Sequence, residues 1–186
     1  MSIVFLPPLT IGLLVGAALA TDRRGLTMSP KSPIRGVLFV RWLRFTKTMA
    51  RHPRTYESPR GHLGAWSMEA RRLADAGLCT SPRKATVGSE TGVWTAEWKK
   101  PLTKEKFLNS APLQYAAFER STTRMIPAAT PLVGTVVNGK KCTLSGLLGV
   151  GHLAGSGGIQ SWVTDPAVRA RHPKTTQAFE AANGIF

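Results

Sequence analysis

The hydrophobic pattern of the chain begins with an uninterrupted apolar stretch. Residues 3–21 contain no Asp, Glu, Lys or Arg, and a run of about 17–25 apolar residues is needed for a helix to cross a membrane. Pro7 and Pro8 near its start are tolerated, because the first turn of a helix has free N–H groups. We therefore predict one uncleaved transmembrane anchor within residues 1–24. The alternatives are a signal peptide, which would need preceding basic residues, and a hydrophobic arm buried in a large assembly.

Small residues recur along this run at intervals of four, at Gly12, Gly16 and Ala20. Such spacing places them on one face of a helix and lets a second helix approach closely. We predict a helix-packing face there. The alternative is that these residues only reflect the frequency of Gly and Ala in membrane helices.

Beyond the anchor, Gly and Pro divide the chain into short amphipathic pieces, which predicts a mainly α body. Helix starts are predicted at residues that can cap an N-terminus: Ser67, Thr103, Ser110, Thr143 and Asp165. Helix ends are predicted at Gly77, Gly155 and Asn183-Gly184, with a further helix opening at Gly157-Gly158. Residues 132–142, with Asn138-Gly139 at their centre, are predicted to form one small hairpin or a loop.

The charge of the chain is strongly positive, with a formal net charge of +15 and an isoelectric point near 11.0. Such a chain seeks an anionic partner. Between residues 23 and 60 there are ten Lys or Arg and one acid, Glu57. Residues 25–55 are therefore predicted to be a basic juxtamembrane segment, and residues 56–186 the globular domain.

The basic flank predicts both a lipid contact and an orientation. Arg23, Arg24, Arg41 and Arg44 are predicted to bind anionic lipid such as cardiolipin, at about 1 kcal/mol each. Positive residues favour the side from which a protein is inserted, so the N-terminus is expected outside and the C-terminal domain in the cytoplasm or the mitochondrial matrix. Residues 37–45 interleave Arg with aromatic and aliphatic side chains, which fits an element at the membrane interface or a packed element with Arg on its wet face.

Other classes of site have weak support in the sequence. No nucleic-acid-binding signature is present, so nucleic acid is an unlikely partner. Cys79 and Cys142 are far apart and without a CxxC motif, which favours buried free thiols over a disulfide. The four histidines show no helical metal pairing. We predict no metal and no cofactor.

Several segments in order resemble a family of lysozyme-like muramidases and transglycosylases of bacteriophages. Residues 61–68 (GHLGAWSM) are similar to its Gly-Tyr-x-Gly-Ala-Tyr-Gln-Phe signature, and residues 102–110 (LTKEKFLNS) to one of its helix starts. Residues 143–158 (TLSGLLGVGHLAGSGG) give the longest match, to a Ser-Gly-Leu…His-Leu…Gly-Gly block. The resemblance covers residue 61 to the end and implies a lysozyme-like helical domain.

The resemblance fails at the residues that would do chemistry. The family's catalytic Glu precedes the signature by about a dozen residues, but residues 45–53 (FTKTMARHP) contain no acid, and Ser67 replaces the signature's Gln. Glycoside hydrolysis requires a proton donor beside the scissile bond. Glu57 is the only nearby substitute, while Glu69 and Asp75 beside Arg71 and Arg72 fit a solvated helix face. His152 is expected to be a buried, hydrogen-bonded structural residue.

These features predict a pseudoenzyme with no catalytic residues. We expect a non-catalytic accessory subunit of a large membrane complex, in the mitochondrial inner membrane, within a respiratory-chain or ATP synthase assembly. The alternatives are a phage virion-associated peptidoglycan hydrolase that uses Glu57, and a basic ribosomal accessory protein.

Overall fold

A computed structural model describes residues 39–80 and 96–186. This part of the chain is mainly helical, as the sequence predicts. The helices are α1 (Phe39–Met49), α2 (Ala70–Asp75), α3 (Lys104–Asn109), α4 (Ala111–Thr123), α5 (Ile126–Ala129), α6 (Leu144–Thr164), α7 (Pro166–Arg171) and α8 (Pro173–Ala182). A 3₁₀ turn covers Thr130–Leu132, and two short strands, β1 (Val136–Val137) and β2 (Lys140–Lys141), follow it.

Most predicted helix starts are confirmed by hydrogen bonds. The side chains of Thr103, Ser110 and Thr143 accept from the backbone amides of Lys106, Leu113 and Gly146. Asp165 caps α7 by accepting from two backbone amides. Each cap satisfies an amide that has no partner inside the helix. The hairpin is also confirmed, because Val136 pairs with Lys141 and Val137 with Lys140.

The predicted cap at Ser67 is wrong. Leu63 and Met68 exchange backbone hydrogen bonds of 2.9 and 2.8 Å, which closes a tight turn over residues 64–67. Ser67 lies in this turn with φ 49°, a left-handed conformation that is incompatible with a helix start. Helix α2 begins after Glu69, without a side-chain cap. It is therefore shorter at its start than the sequence predicts, and it ends before Gly77 as predicted.

Gly155 separates two helices that the single label α6 covers, as the sequence predicts. Its φ of 70° and ψ of 174° are non-helical, and the residues on its two sides belong to two helices that meet there at a kink. This region of backbone space is essentially restricted to glycine. The two predicted helices, before Gly155 and after Gly157, are thus the two halves of α6.

The core extends across the predicted domain boundary. In α1, Trp42 is 1% exposed and Phe45 is fully buried, and both rings lie 6.2 Å from the ring of Phe118 in α4. Of the two alternatives for residues 37–45, the packed element with Arg on its solvent-exposed face is therefore confirmed for residues 41–45, since Arg41 and Arg44 are exposed, and the membrane-interface element is wrong for these two aromatics. A boundary at residue 56 does not separate two packing units, because α1 contributes to the same core as α4.

The predicted anchor and its packing and lipid residues Gly12, Gly16, Ala20, Arg23 and Arg24 lie outside the described residues. Among the helices of residues 39–80 and 96–186, none combines the length and apolar character needed to cross a membrane.

Cys79 and Cys142 are buried free thiols. Burial raises the pKa of the Cys79 thiol to about 11, so this thiol is protonated and unreactive at neutral pH.

Candidate binding cleft

The loop after α1 is fixed by the turn that carries the family-like signature. The backbone amides of Arg51 and His52 both donate to the carbonyl oxygen of Ala65, at 3.1 and 3.2 Å. The His52 ring stacks on Tyr56 with a centroid separation of 3.8 Å and an angle of 10°. These contacts hold the loop in one position relative to Ala65, although most of its side chains are exposed.

Gln114 fixes the far end of the same loop. Its side chain is completely buried. Its Nε2 donates to the carbonyl oxygen of Arg54 at 2.9 Å and to those of Phe107 and Leu108 at 3.0 and 3.1 Å, while its Oε1 accepts from the amide of Ala65 at 3.0 Å. One side chain thus joins the loop, the signature turn and the end of α3.

A cavity of about 520 Å³ lies between this loop, the end of α1 and the signature turn. Its described lining consists of basic, aromatic, small and hydroxyl-bearing residues: Thr46, Lys47, Ala50, Arg51, His52, Pro53, Arg54, Ala65, Trp66 and Ala111. None of these lining residues is acidic. Lys47, Arg51 and Arg54 are exposed to solvent. Arg51 and Arg54 form no ion pair within residues 39–80 and 96–186, and these two cations make their side of the cleft electropositive.

Residues 45–54, where the resemblance places the family's catalytic Glu, contain no carboxylic acid. Phe45 and Met49, near the end of α1, are buried in the core, and the residues between Ala50 and Arg54 present only basic or neutral groups to the cleft. Glu57 is outside the described lining. Its carboxylate binds Nζ of Lys104 at 2.9 and 3.1 Å, with its side chain 45% exposed.

The other proposed carboxylates also lie outside the described lining. Asp75 is exposed and faces Arg124 at 3.7 Å, as a solvated helix face predicts. Arg72 on the same helix contradicts that prediction, because it is buried. Its Nη2 donates to Oγ of Ser121 at 2.9 Å, and its Nη1 donates to Nδ1 and to the carbonyl oxygen of His152. Burial lowers the pKa of Arg72 to about 10.

His152 is hydrogen-bonded, as expected, although part of the residue remains accessible to solvent. Its Nδ1 accepts a hydrogen bond from Nη1 of Arg72, and its ring meets the Phe118 ring edge-on at a centroid distance of 5.6 Å. Burial lowers the pKa of His152 well below 6.5, and the positive charges of Arg72 and Arg51 lower it further. The imidazole is therefore neutral at physiological pH.

The remaining predicted site residues are separate from the cleft lining. Arg41 and Arg44 are exposed on α1. The cleft residues Lys47, Arg51 and Arg54, and the buried groups Gln114 and Arg72, were not predicted as site residues. One signal was available: residues 39–56 contain five Lys or Arg and no acid. Among the described residues, no group of His, Cys, Asp and Glu could hold a metal ion.

Comparisons of the chain with protein-family models, with curated proteins and with solved structures found no match. The likeness to lysozyme-like muramidases therefore stays a prediction from the sequence motifs.

Proposed function

We propose that this protein is a non-catalytic accessory subunit of a large membrane complex, in which its helical domain binds rather than hydrolyses. One observation carries the proposal: the described lining of the cleft is basic and contains no carboxyl group. A glycoside hydrolase needs a carboxylic acid at the scissile bond. Losing general acid catalysis alone reduces a rate by about 10²–10⁴.

The proposed membrane location rests on the sequence. The apolar residues 3–21 and the basic residues that follow them support a single anchor with its positive flank inside. The mitochondrial inner membrane, with a respiratory-chain or ATP synthase assembly as host, is the setting in which a basic matrix domain and anionic lipid would meet.

The test of the catalytic part is a cell-wall clearing assay on the purified full-length protein, with an active muramidase as positive control. We expect no clearing. Clearing that disappears in Glu57→Gln would overturn the proposal in favour of the peptidoglycan hydrolase. Glu57→Gln removes only an exposed ion pair, so it should remain folded.

The test of the membrane part uses alkaline carbonate extraction and copurification. We expect the protein in the membrane pellet, together with subunits of a membrane complex. Gly12→Leu with Gly16→Leu should reduce its recovery in that complex, because added side chains would hold a partner helix away. Release into the supernatant would contradict the anchor, and capsid proteins or ribosomal RNA in the purified material would contradict the proposed host.

A further inference from the structure

We propose that the basic cleft after α1 is a binding pocket for a phosphate ester, in which Arg51 and Arg54 bind the phosphate and the side chains of Ala50 and Pro53 contact the organic part. The inference rests on the proposed function in one respect, namely that the cleft binds without hydrolysing.

The charge of the cleft selects an anion. Lys47, Arg51 and Arg54 line the cavity with no acid among the described lining. The nearest acid along the chain, Glu57, is engaged by Lys104. Within the described part of the chain, the side chains of Arg51 and Arg54 form no ion pair. Their guanidinium groups are thus available to a ligand, and the planar fork of Arg matches the oxygens of a phosphate.

The size of the cleft calls for more than an inorganic ion. Its volume of about 520 Å³ falls in the range of about 300–1,000 Å³ that is typical of small-molecule sites. Its accessible apolar lining is formed by Ala50, which is partly buried, and Pro53, which is exposed, and this small surface suits a sugar or glycerol body. A ligand with one anionic end and a compact organic body therefore fits the lining.

The backbone that carries the two arginines is held before any ligand arrives. The amide of Arg51 donates to Ala65 at 3.1 Å, and the carbonyl of Arg54 accepts from Gln114 at 2.9 Å. A loop fixed at both ends loses less conformational entropy on binding. The backbone positions of the two arginines are therefore fixed before a ligand binds.

Two sources share this ligand chemistry: the headgroup of an anionic phospholipid and a soluble phosphate ester. The position of the cleft favours the lipid. It is formed by the end of α1, and the exposed side of α1 carries Arg41 and Arg44 together with Val40, which is 74% exposed. Basic residues with an exposed aliphatic side chain are suited to the surface of an anionic membrane.

The test measures binding of glycerol 3-phosphate by calorimetry to the full-length protein in discs of phosphatidylcholine. We expect saturable binding that falls about tenfold or more in the double variant Arg51→Gln/Arg54→Gln, because each charge-assisted hydrogen bond contributes strongly. The matched control is Arg171→Gln/Lys174→Gln, which removes the same charge from exposed positions outside the cleft lining and should bind like the parent. Arg51→Lys/Arg54→Lys keeps the charge without the fork and should give an intermediate affinity.

Further measurements distinguish the phospholipid headgroup from a soluble phosphate ester, and the phosphate-ester pocket from other kinds of anion site. Discs that contain phosphatidylglycerol should weaken the apparent affinity for glycerol 3-phosphate by competition, which identifies the lipid; unchanged affinity identifies a soluble ester. The proposal is overturned by absent binding, by an equal loss in the control variant, by equal affinity for a carboxylate such as glycerate, or by tighter, Arg51-dependent binding of single-stranded oligonucleotide. None of these results bears on cell-wall clearing, so the two proposals fail separately.

Discussion

The guanidinium of Arg72 donates a hydrogen bond to Nδ1 of His152, although the two residues are 80 positions apart in the chain. The same nitrogen donates to the carbonyl oxygen of His152 at 3.1 Å. Arg72 also lies over the Phe118 ring at 6.0 Å. This contact joins α2 to the middle of α6 through a buried cation, and it keeps His152 in its neutral form, with the proton on Nε2.

The first prediction concerns pH. The pKa of His152 is depressed in the folded state by burial and by Arg72 and Arg51, so the unfolded chain binds a proton that the folded chain does not. The free energy of unfolding should therefore keep its full value above about pH 6.5. Below that pH it should decrease, by up to about 1.4 kcal/mol for each pH unit. Denaturant unfolding between about pH 5.5 and 7.5 measures this slope.

His152→Asn is the control for that slope. Its Oδ1 can accept from Arg72 in place of Nδ1, and it does not titrate in this range. In this variant the slope of the free energy of unfolding against pH should decrease by the contribution of about one bound proton. An unchanged slope would assign the dependence to other groups.

The second prediction concerns the buried cation. Arg72→Met leaves Oγ of Ser121 and Nδ1 of His152 without their donor, and it should lower the free energy of unfolding by about 1–3 kcal/mol. It should also raise the pKa of His152, because a neighbouring positive charge is removed. Arg71→Met, one residue earlier on the exposed side of α2, should change stability by less than about 0.5 kcal/mol. Equal effects of the two variants would contradict the structural role of Arg72.

The third prediction concerns the side chain that fixes the cleft loop. Gln114→Leu removes four hydrogen bonds to backbone groups and should destabilise the protein by about 2–4 kcal/mol. Gln114→Glu keeps the acceptor for Ala65 but turns an oxygen toward three carbonyls, so it should be destabilised most at neutral pH and recover partly in acid. Thermal unfolding at two pH values separates these cases. A Glu variant as stable as the parent at neutral pH would show that the three donated bonds contribute little.

The fourth prediction compares two glycines of α6 that have the same free space. A Cβ atom would meet nothing within 4 Å at either Gly155 or Gly157. Only Gly155 has a positive φ, of 70°. Gly155→Ala should therefore cost about 1–3 kcal/mol through backbone strain, whereas Gly157→Ala should stabilise by about 0.5–1 kcal/mol through helix propensity. The measurement is the denaturant midpoint of each variant. A lower midpoint for Gly155→Ala and a higher one for Gly157→Ala than for the parent would confirm the non-helical backbone at Gly155, and equal shifts would contradict it.

The sequence alone predicted the features that depend on neighbouring residues. Thr103, Ser110, Thr143 and Asp165 cap helices because a short polar side chain can reach an amide two or three residues ahead, whatever surrounds it. The Asn138-Gly139 turn follows from the tolerance of these two residues for positive φ. The mainly α class and the absence of an acidic residue in residues 45–53 also followed from the sequence alone.

The tertiary structure decided the features that depend on distant contacts. Ser67 was predicted as a helix cap, but pairing between Leu63 and Met68 holds it in a tight turn. Arg72 was predicted on a wet face, since nothing in residues 69–75 shows that Ser121 and His152 provide its acceptors. At the cleft, the backbone of Arg54 and of Ala65 is held by Gln114, which lies in a helix remote from both in the sequence. Such burial and pairing arise between residues that are remote in sequence, so the local pattern of hydrophobic and polar residues cannot predict them.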